Sequence, residues 1–167
     1  NGYTLVLVDF NKGTSTLPDG TIIGHIIDKT IENEMPIVTV EWGENWRTAE
    51  HYRGKLEKYP YNTFIEKTDV DGFSNPNLEV TLERLGNRRL VIAGGIGEMC
   101  LNATARSAID RGYDVFASDE TSLESSDGVH NSSIISSGEL AEQSVNFYNG
   151  TTIWNRSGLR SGVGYSA

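Results

Sequence analysis

The sequence predicts an α/β fold, a three-layer α/β/α domain built on a mainly parallel sheet. Three observations carry that expectation. Short apolar runs rich in β-branched residues recur along the chain, stretches of helical spacing fall between them, and the runs are continuously apolar rather than alternating. A strand wetted on one face alternates polar and apolar side chains, whereas one covered by helices on both faces does not. Strand and helix in regular alternation is the pattern that parallel crossovers leave in a sequence.

The strand-like runs are residues 3–9 (YTLVLVD), 36–42 (PIVTVEW), 89–94 (RLVIAG) and 113–117 (YDVFA), with a weaker one at 151–154 (TTIW) closing the series. Residues 64–67 (FIEK) read as an edge strand. Between the first two runs, Ile22, Ile23, Ile26, Ile27 and Ile31 form an i, i+4 stripe. Leu78, Leu82 and Leu85 repeat that spacing before residue 89, and Gly86 is the expected helix stop, because glycine takes the left-handed conformation at little cost. Residues 99–110 follow the third strong run, with small residues at Ala103, Ala105 and Ala108, and a helix over 140–147 is expected before the last strand.

One segment breaks the alternation. Residues 43–64 are polar and aromatic, with Trp46, Tyr52, Tyr59, Tyr61 and Phe64. They read either as a lid or binding loop, or as a surface excursion whose aromatics cover the sheet edge. A single domain over 1–154 is expected, with 155–167 a Ser/Gly-rich, frayed tail.

Composition excludes several partners. The 167 residues carry a formal charge of −9, and repulsion from phosphates argues against nucleic acid. There is no apolar run of membrane-spanning length, so no membrane partner is expected. The first residues show no basic n-region or apolar h-region, and no secretion signal is read. One cysteine forbids an intrachain disulfide and is compatible with a reducing, cytoplasmic compartment.

In open α/β sheets functional groups collect at the carboxyl ends of the strands. Asp9 ends the first run, Lys67 ends the edge segment, and Cys100 falls in the first turn of the helix after residues 89–94. A helix N-terminus favours a thiolate, and the turn at 94–97 (GGIG) allows backbone N–H groups to point into a site. A free cysteine is also often a small buried hydrophobe, and both readings stay open on these residues alone. The same turn, 95–100 (GIGEMC), approaches the dinucleotide fingerprint GxGxxG, with Asp119 as a late acidic partner. Its third glycine is replaced by Cys100, and it follows a late strand instead of the first.

Three blocks resemble the isochorismatase-like hydrolases, a family that includes nicotinamidases and carbamoylsarcosine amidases. Residues 5–11 (LVLVDFN) are similar to the opening L-x-x-x-D-x-Q, with Asn11 where Gln is usual. Residues 67–78 (KTDVDGFSNPNL) resemble K-x-x-x-S/N-A-F-x-x-T-x-L, with Asp71-Gly72 in place of the Ser/Asn-Ala pair. Residues 90–115 resemble the block running from L-V-I-x-G through the cysteine to T-A-x-x-A and G-Y-x-V, here Cys100, Thr104-Ala105, Ala108 and Gly112-Tyr113. Lys58 also fits the short lysine pattern, but only Lys67 keeps the distance to the following helix.

The resemblance implies a Rossmann-like sheet and a catalytic set of Asp9, Lys67 and Cys100. Asp9 would take the thiol proton, Lys67 would assist, and the thiolate would attack an amide-like carbonyl to give a thioester. Backbone N–H groups of Ile96 and Cys100 would form the oxyanion hole, after a cis peptide at Gly95–Ile96. The cysteine favours C–N hydrolysis over vinyl-ether cleavage. Asn11, Trp42, Trp46 and Phe73 are the expected pocket residues. Nicotinamidases place a metal-binding D-x-H after the second strand; here that place is residues 41–45 (EWGEN), with His51 later and alone. No metal and no cofactor are therefore expected, and His25, His51 and His130 read as ordinary surface or helix residues. The implied partners are a small-molecule substrate and other copies of the chain in a homo-oligomer. The alternative function is a non-catalytic binding or scaffold module that kept the fold.

Overall fold

The computed structural model describes residues 2–12, 20–95 and 100–116, and further on the short strands 122–123, 153–154 and 160–161. For residues 20–22 and those three strands the backbone alone is described. In chain order the elements are β1 (Thr4–Val8), α1 (Gly20–Glu32), β2 (Ile37–Glu41), a 3₁₀ turn (Glu44–Trp46), α2 (Glu50–Lys58), β3 (Asn62–Glu66), a second 3₁₀ turn (Gly72–Ser74), α3 (Pro76–Leu85), β4 (Arg89–Gly95), α4 (Asn102–Asp110), β5 (Asp114–Phe116), β6 (Ser122–Leu123), β7 (Ile153–Trp154) and β8 (Arg160–Ser161).

The main sheet runs β3-β2-β1-β4-β5 and every pairing in it is parallel. β5 covers only Arg89, Leu90 and Val91 of β4, and β6 takes over beside Gly94 and Gly95. The chain moves outward from β1 to β3, then returns to the other side of β1 as β4. Strand order therefore reverses between β1 and β4, the place where a crevice opens at the carboxyl ends of such sheets.

Both faces of the sheet are covered, which is why β1 and β2 are buried at all five positions each. Val6, Val8, Val38, Val40, Leu90 and Ile92 pack with Leu78 and Leu82 of α3 and Ala105 and Ala108 of α4. Leu5, Leu7, Ile37, Val91 and Ala93 face the other way, onto Ile23, Ile26 and Ile27 of α1 and Leu56 of α2. The period-2 alternation of a strand thus sorts one apolar run into two cores. α3 begins and ends as its residues dictate. Asn75 caps it by accepting from the Asn77 N–H at 2.9 Å, Pro76 occupies its first turn, and Gly86 closes it at φ 76°.

Two expectations are corrected here. Residues 43–64 are not a loop: they hold α2 and the start of β3. α2 buries only Leu56, so it leaves almost no apolar periodicity to read. Its aromatics are braces. Tyr52 packs on Phe10 with ring centroids 4.9 Å apart, the Tyr59 hydroxyl donates to the Met35 carbonyl at 2.7 Å, and Phe64 lies under the Arg53 guanidinium. The run at 151–154 does not extend the parallel sheet either. Ile153 and Trp154 pair antiparallel with Ser161 and Arg160, so the expected tail contains a strand. The connection is five residues, long enough for a hairpin and too short for a parallel crossover. The helix expected over 140–147 lies outside the described residues.

Candidate active site

Asp9 is the first residue beyond β1, at the switch point. Its N–H continues the ladder to the Val40 carbonyl at 3.1 Å, and its φ is 46°. An L-residue avoids this left-handed region, although aspartate tolerates it better than most. The neighbouring backbone leaves little choice. Gly94, opposite Val8 on β4, has φ 127°, and any Cβ there would overlap the Val8 carbonyl. The two strands approach at that point as only a glycine permits.

Lys67 follows β3 directly, and its N–H donates to the Glu41 carbonyl at 2.9 Å. β3 is separated from β1 by β2, about 10 Å at ordinary strand spacing. Only a long side chain spans that gap. The Lys67 ammonium ends 2.8 Å from Asp9 Oδ2, donates to the Val70 carbonyl at 3.0 Å, and lies 4.5 Å from the centre of the Trp42 ring. At 1% exposure an unpartnered ammonium would be strongly disfavoured. Here a carboxylate, a carbonyl dipole and an aromatic face replace its water.

Cys100 enters from β4 through a wide, π-type turn at residues 100–101 ahead of α4, and is 5% exposed. Asp9 and Lys67 both lie close enough to act on its thiol, in opposite directions. The helix-terminus argument, which favours a lowered thiol pKa, is overturned. Burial pushes the thiol up to about 11, the Asp9 charge adds to the rise, and the Lys67 contact only partly opposes it. Desolvation of a buried sulfur exceeds what one ammonium returns.

The three expected residues from three strand ends are therefore together. Lys58, the other lysine that fits the motif, is exposed at the end of α2. Among the pocket expectations, Trp42 stands over Lys67, and Asn11 bridges to Thr48 two residues beyond Asp9. Trp46 is 59% exposed, and Phe73 is packed into the core with the Arg111 guanidinium 4.3 Å above its ring. Ile96 lies outside the described residues, and with it the oxyanion donor and the peptide expected at Gly95–Ile96. His25 and His51 are exposed, while His130 and Asp119 are not described. Among the described residues no group of three or more His, Cys, Asp or Glu is placed to hold a metal ion.

Two residues to which the sequence assigned no role support this rim. Glu41, at the end of β2, accepts from the Thr48 N–H at 2.6 Å and from Arg53 Nε at 3.3 Å. It holds the segment after Trp42 against β2. Thr104, in the first turn of α4, donates to the Cys100 carbonyl at 2.7 Å.

The glycine-rich stretch of sequence follows the fourth strand, not the first, so it does not stand where a dinucleotide fingerprint does. The family model "Isochorismatase domain" matches residues 23–135. The chain belongs to the isochorismatase family. Streptothricin hydrolase of Streptomyces noursei is 37% identical over 60 residues, 36% of this chain and 22% of that protein. The chain thus spans under a quarter of the length of that curated relative. A nicotinamidase from Staphylococcus aureus superposes with a TM-score of 0.64 at 20% identity, covering 75% of this chain and 84% of the other. The N-carbamoylsarcosine amidase of Thermoplasma acidophilum gives 0.64 at 19%, covering 77% and 87%. At these identities the two structures show a shared isochorismatase-family fold, with its parallel sheet and flanking helices.

Proposed function

We propose that this isochorismatase-family chain is a hydrolase that cleaves an amide-like C–N bond of a small molecule, with Cys100 as nucleophile. The observation that carries the reading is the buried Asp9–Lys67 ion pair, whose two charges both act on the one buried thiol. A thiol held protonated beside a carboxylate is activated by general base when substrate arrives, not by standing ionisation. The thiol proton passes to Asp9 as sulfur bonds to the carbonyl carbon. The C–N bond then breaks, the departing nitrogen takes that proton, and ammonia or an amine leaves an acyl thioester. Water attacks the thioester, giving a proton to Asp9, and the acid departs as the sulfur is reprotonated. Lys67, 2.8 Å from Asp9, assists that proton transfer and offsets the charge that develops beside it. The hydrolase and amidase relatives support the reading by likeness.

The test is a panel of small primary amides and ureides, read as ammonia release and as acyl adducts by intact mass after acid quench. Turnover with an adduct on the peptide containing Cys100, both lost in Cys100→Ala, is the expected result. Turnover that survives Cys100→Ala overturns the nucleophile.

A further inference from the structure

We infer that Thr104 is a positioning residue that registers the Cys100 backbone against the loop holding the Lys67 ammonium; this rests on the proposed nucleophile. Thr104 is fully buried. Its Oγ1 accepts from the Gly72 N–H at 2.9 Å and donates to the Cys100 carbonyl at 2.7 Å. A backbone N–H only donates, so the hydroxyl's single proton is committed to Cys100. Threonine often bonds the carbonyl four residues back in a helix, but here the hydroxyl also receives a bond from a different segment.

That segment is the one that fixes Lys67. The Lys67 ammonium donates to the Val70 carbonyl, two residues before Gly72. A second tie runs beside the first: Ser107 of α4 donates to Asp71 Oδ2, while Asp71 Oδ1 accepts from the Phe73 N–H at 2.9 Å. Gly72 has no spare room, since a Cβ would stand 3.2 Å from Thr104 Oγ1. A circuit of contacts results. It runs from the Cys100 carbonyl through Thr104 and Gly72 to Val70, then through the Lys67 ammonium to Asp9, and both of these charges act on the thiol. Opening it at Thr104 frees the Cys100 backbone from the loop that holds the ammonium.

The full chain is tested by iodoacetamide alkylation of Cys100, the chain's single cysteine, against pH. Thr104→Val keeps the shape and removes the hydroxyl; Thr104→Ser keeps the hydroxyl. The expected result is a profile displaced upward by about one pH unit in Thr104→Val, the size of one charge-assisted bond lost to the thiolate, and a wild-type profile in Thr104→Ser. A folded Thr104→Val with the wild-type profile overturns the role. If Thr104→Val does not fold, Thr104→Ala is read in the same way, and the Gly72 amide is followed by hydrogen exchange in the wild-type chain. Rapid exchange there overturns the circuit. Amide turnover that survives Cys100→Ala removes the nucleophile itself, and is told apart because no Thr104 variant is needed to see it.

Discussion

Lys67 Nζ sits 2.8 Å from Asp9 Oδ2 although β2 runs between their strands. Both side chains are almost wholly buried, so each charge is tolerable only because the other is present. Lys67→Met should therefore strand a buried carboxylate and cost about 3–5 kcal/mol. Asp9→Asn combined with Lys67→Met should recover much of that loss, because the pair is then removed together. Urea unfolding of the two single variants and the double variant measures the coupling. Strictly additive losses would show that the pair does not act as a unit.

The Cys100 thiol pKa near 11 makes stability depend on alkaline pH in one direction. The thiol is neutral when protonated, and its folded pKa is raised above the unfolded one. Below about pH 8.5, the ordinary thiol value, both states hold the proton and the contribution is complete. Between there and 11 the unfolded state loses its proton first, so stability falls as pH rises. Compared with Cys100→Ala, the wild type should lose roughly 2–3 kcal/mol more between pH 8.5 and 11. The comparison is needed because the half-buried Tyr3 hydroxyl, raised by its burial, is common to both proteins. Alkylation rates should follow the same logic. Asp9→Asn removes a charge that raises the thiol pKa and should speed alkylation at pH 8.5, whereas Lys67→Met should slow it. Parallel stability curves for wild type and Cys100→Ala would mean that the thiol is not held neutral.

The parts of this protein that were readable from residues alone are those set by burial on two faces. Continuous apolarity at 3–9, 36–42 and 89–94 marks central strands, because helices cover both sides of them. Asp9, at the end of β1, is placed by the same logic; Lys67 is not, because β2 separates its strand from β1 and only its long side chain spans the gap. α2 was not readable: one buried leucine supplies no periodicity, and Tyr52 and Tyr59 contribute through partners remote in sequence. The thiol's environment was misjudged for a related reason. A helix start is a local feature, while the burial and the Asp9 charge that raise the thiol come from other strands. Aromatic identity says nothing about direction, so Trp42 and Trp46 looked alike.

Gly94 is the position where backbone geometry constrains the site most directly. Its φ of 127° and the Val8 carbonyl against its α-carbon leave no space for a methyl group. Gly94→Ala should part β1 from β4 at the residue before Asp9, costing on the order of 3 kcal/mol or more through strain and lost ladder bonds. Gly86→Ala is the control, being left-handed at φ 76° but in open space. It should cost only about 1 kcal/mol. Thermal melts of both variants give the comparison, and equal losses would show that the close approach to Val8 is unimportant.

The two tryptophans separate what touches the site from what does not. Trp42 presents its ring to the Lys67 ammonium, and a desolvated contact of that kind is worth about 2 kcal/mol. Trp46 is 59% exposed in its 3₁₀ turn. Trp42→Leu keeps apolar bulk and removes the aromatic face. It should lower stability by about 2 kcal/mol and shift the alkylation profile of Cys100 upward, since a less firmly held ammonium opposes the rise less. Trp46→Leu should leave stability within about 0.5 kcal/mol and the profile unmoved. A Trp46 variant that alters the profile while Trp42→Leu does not would place the wall of the site on the 3₁₀ turn, with Lys67 held by Asp9 and Val70 alone.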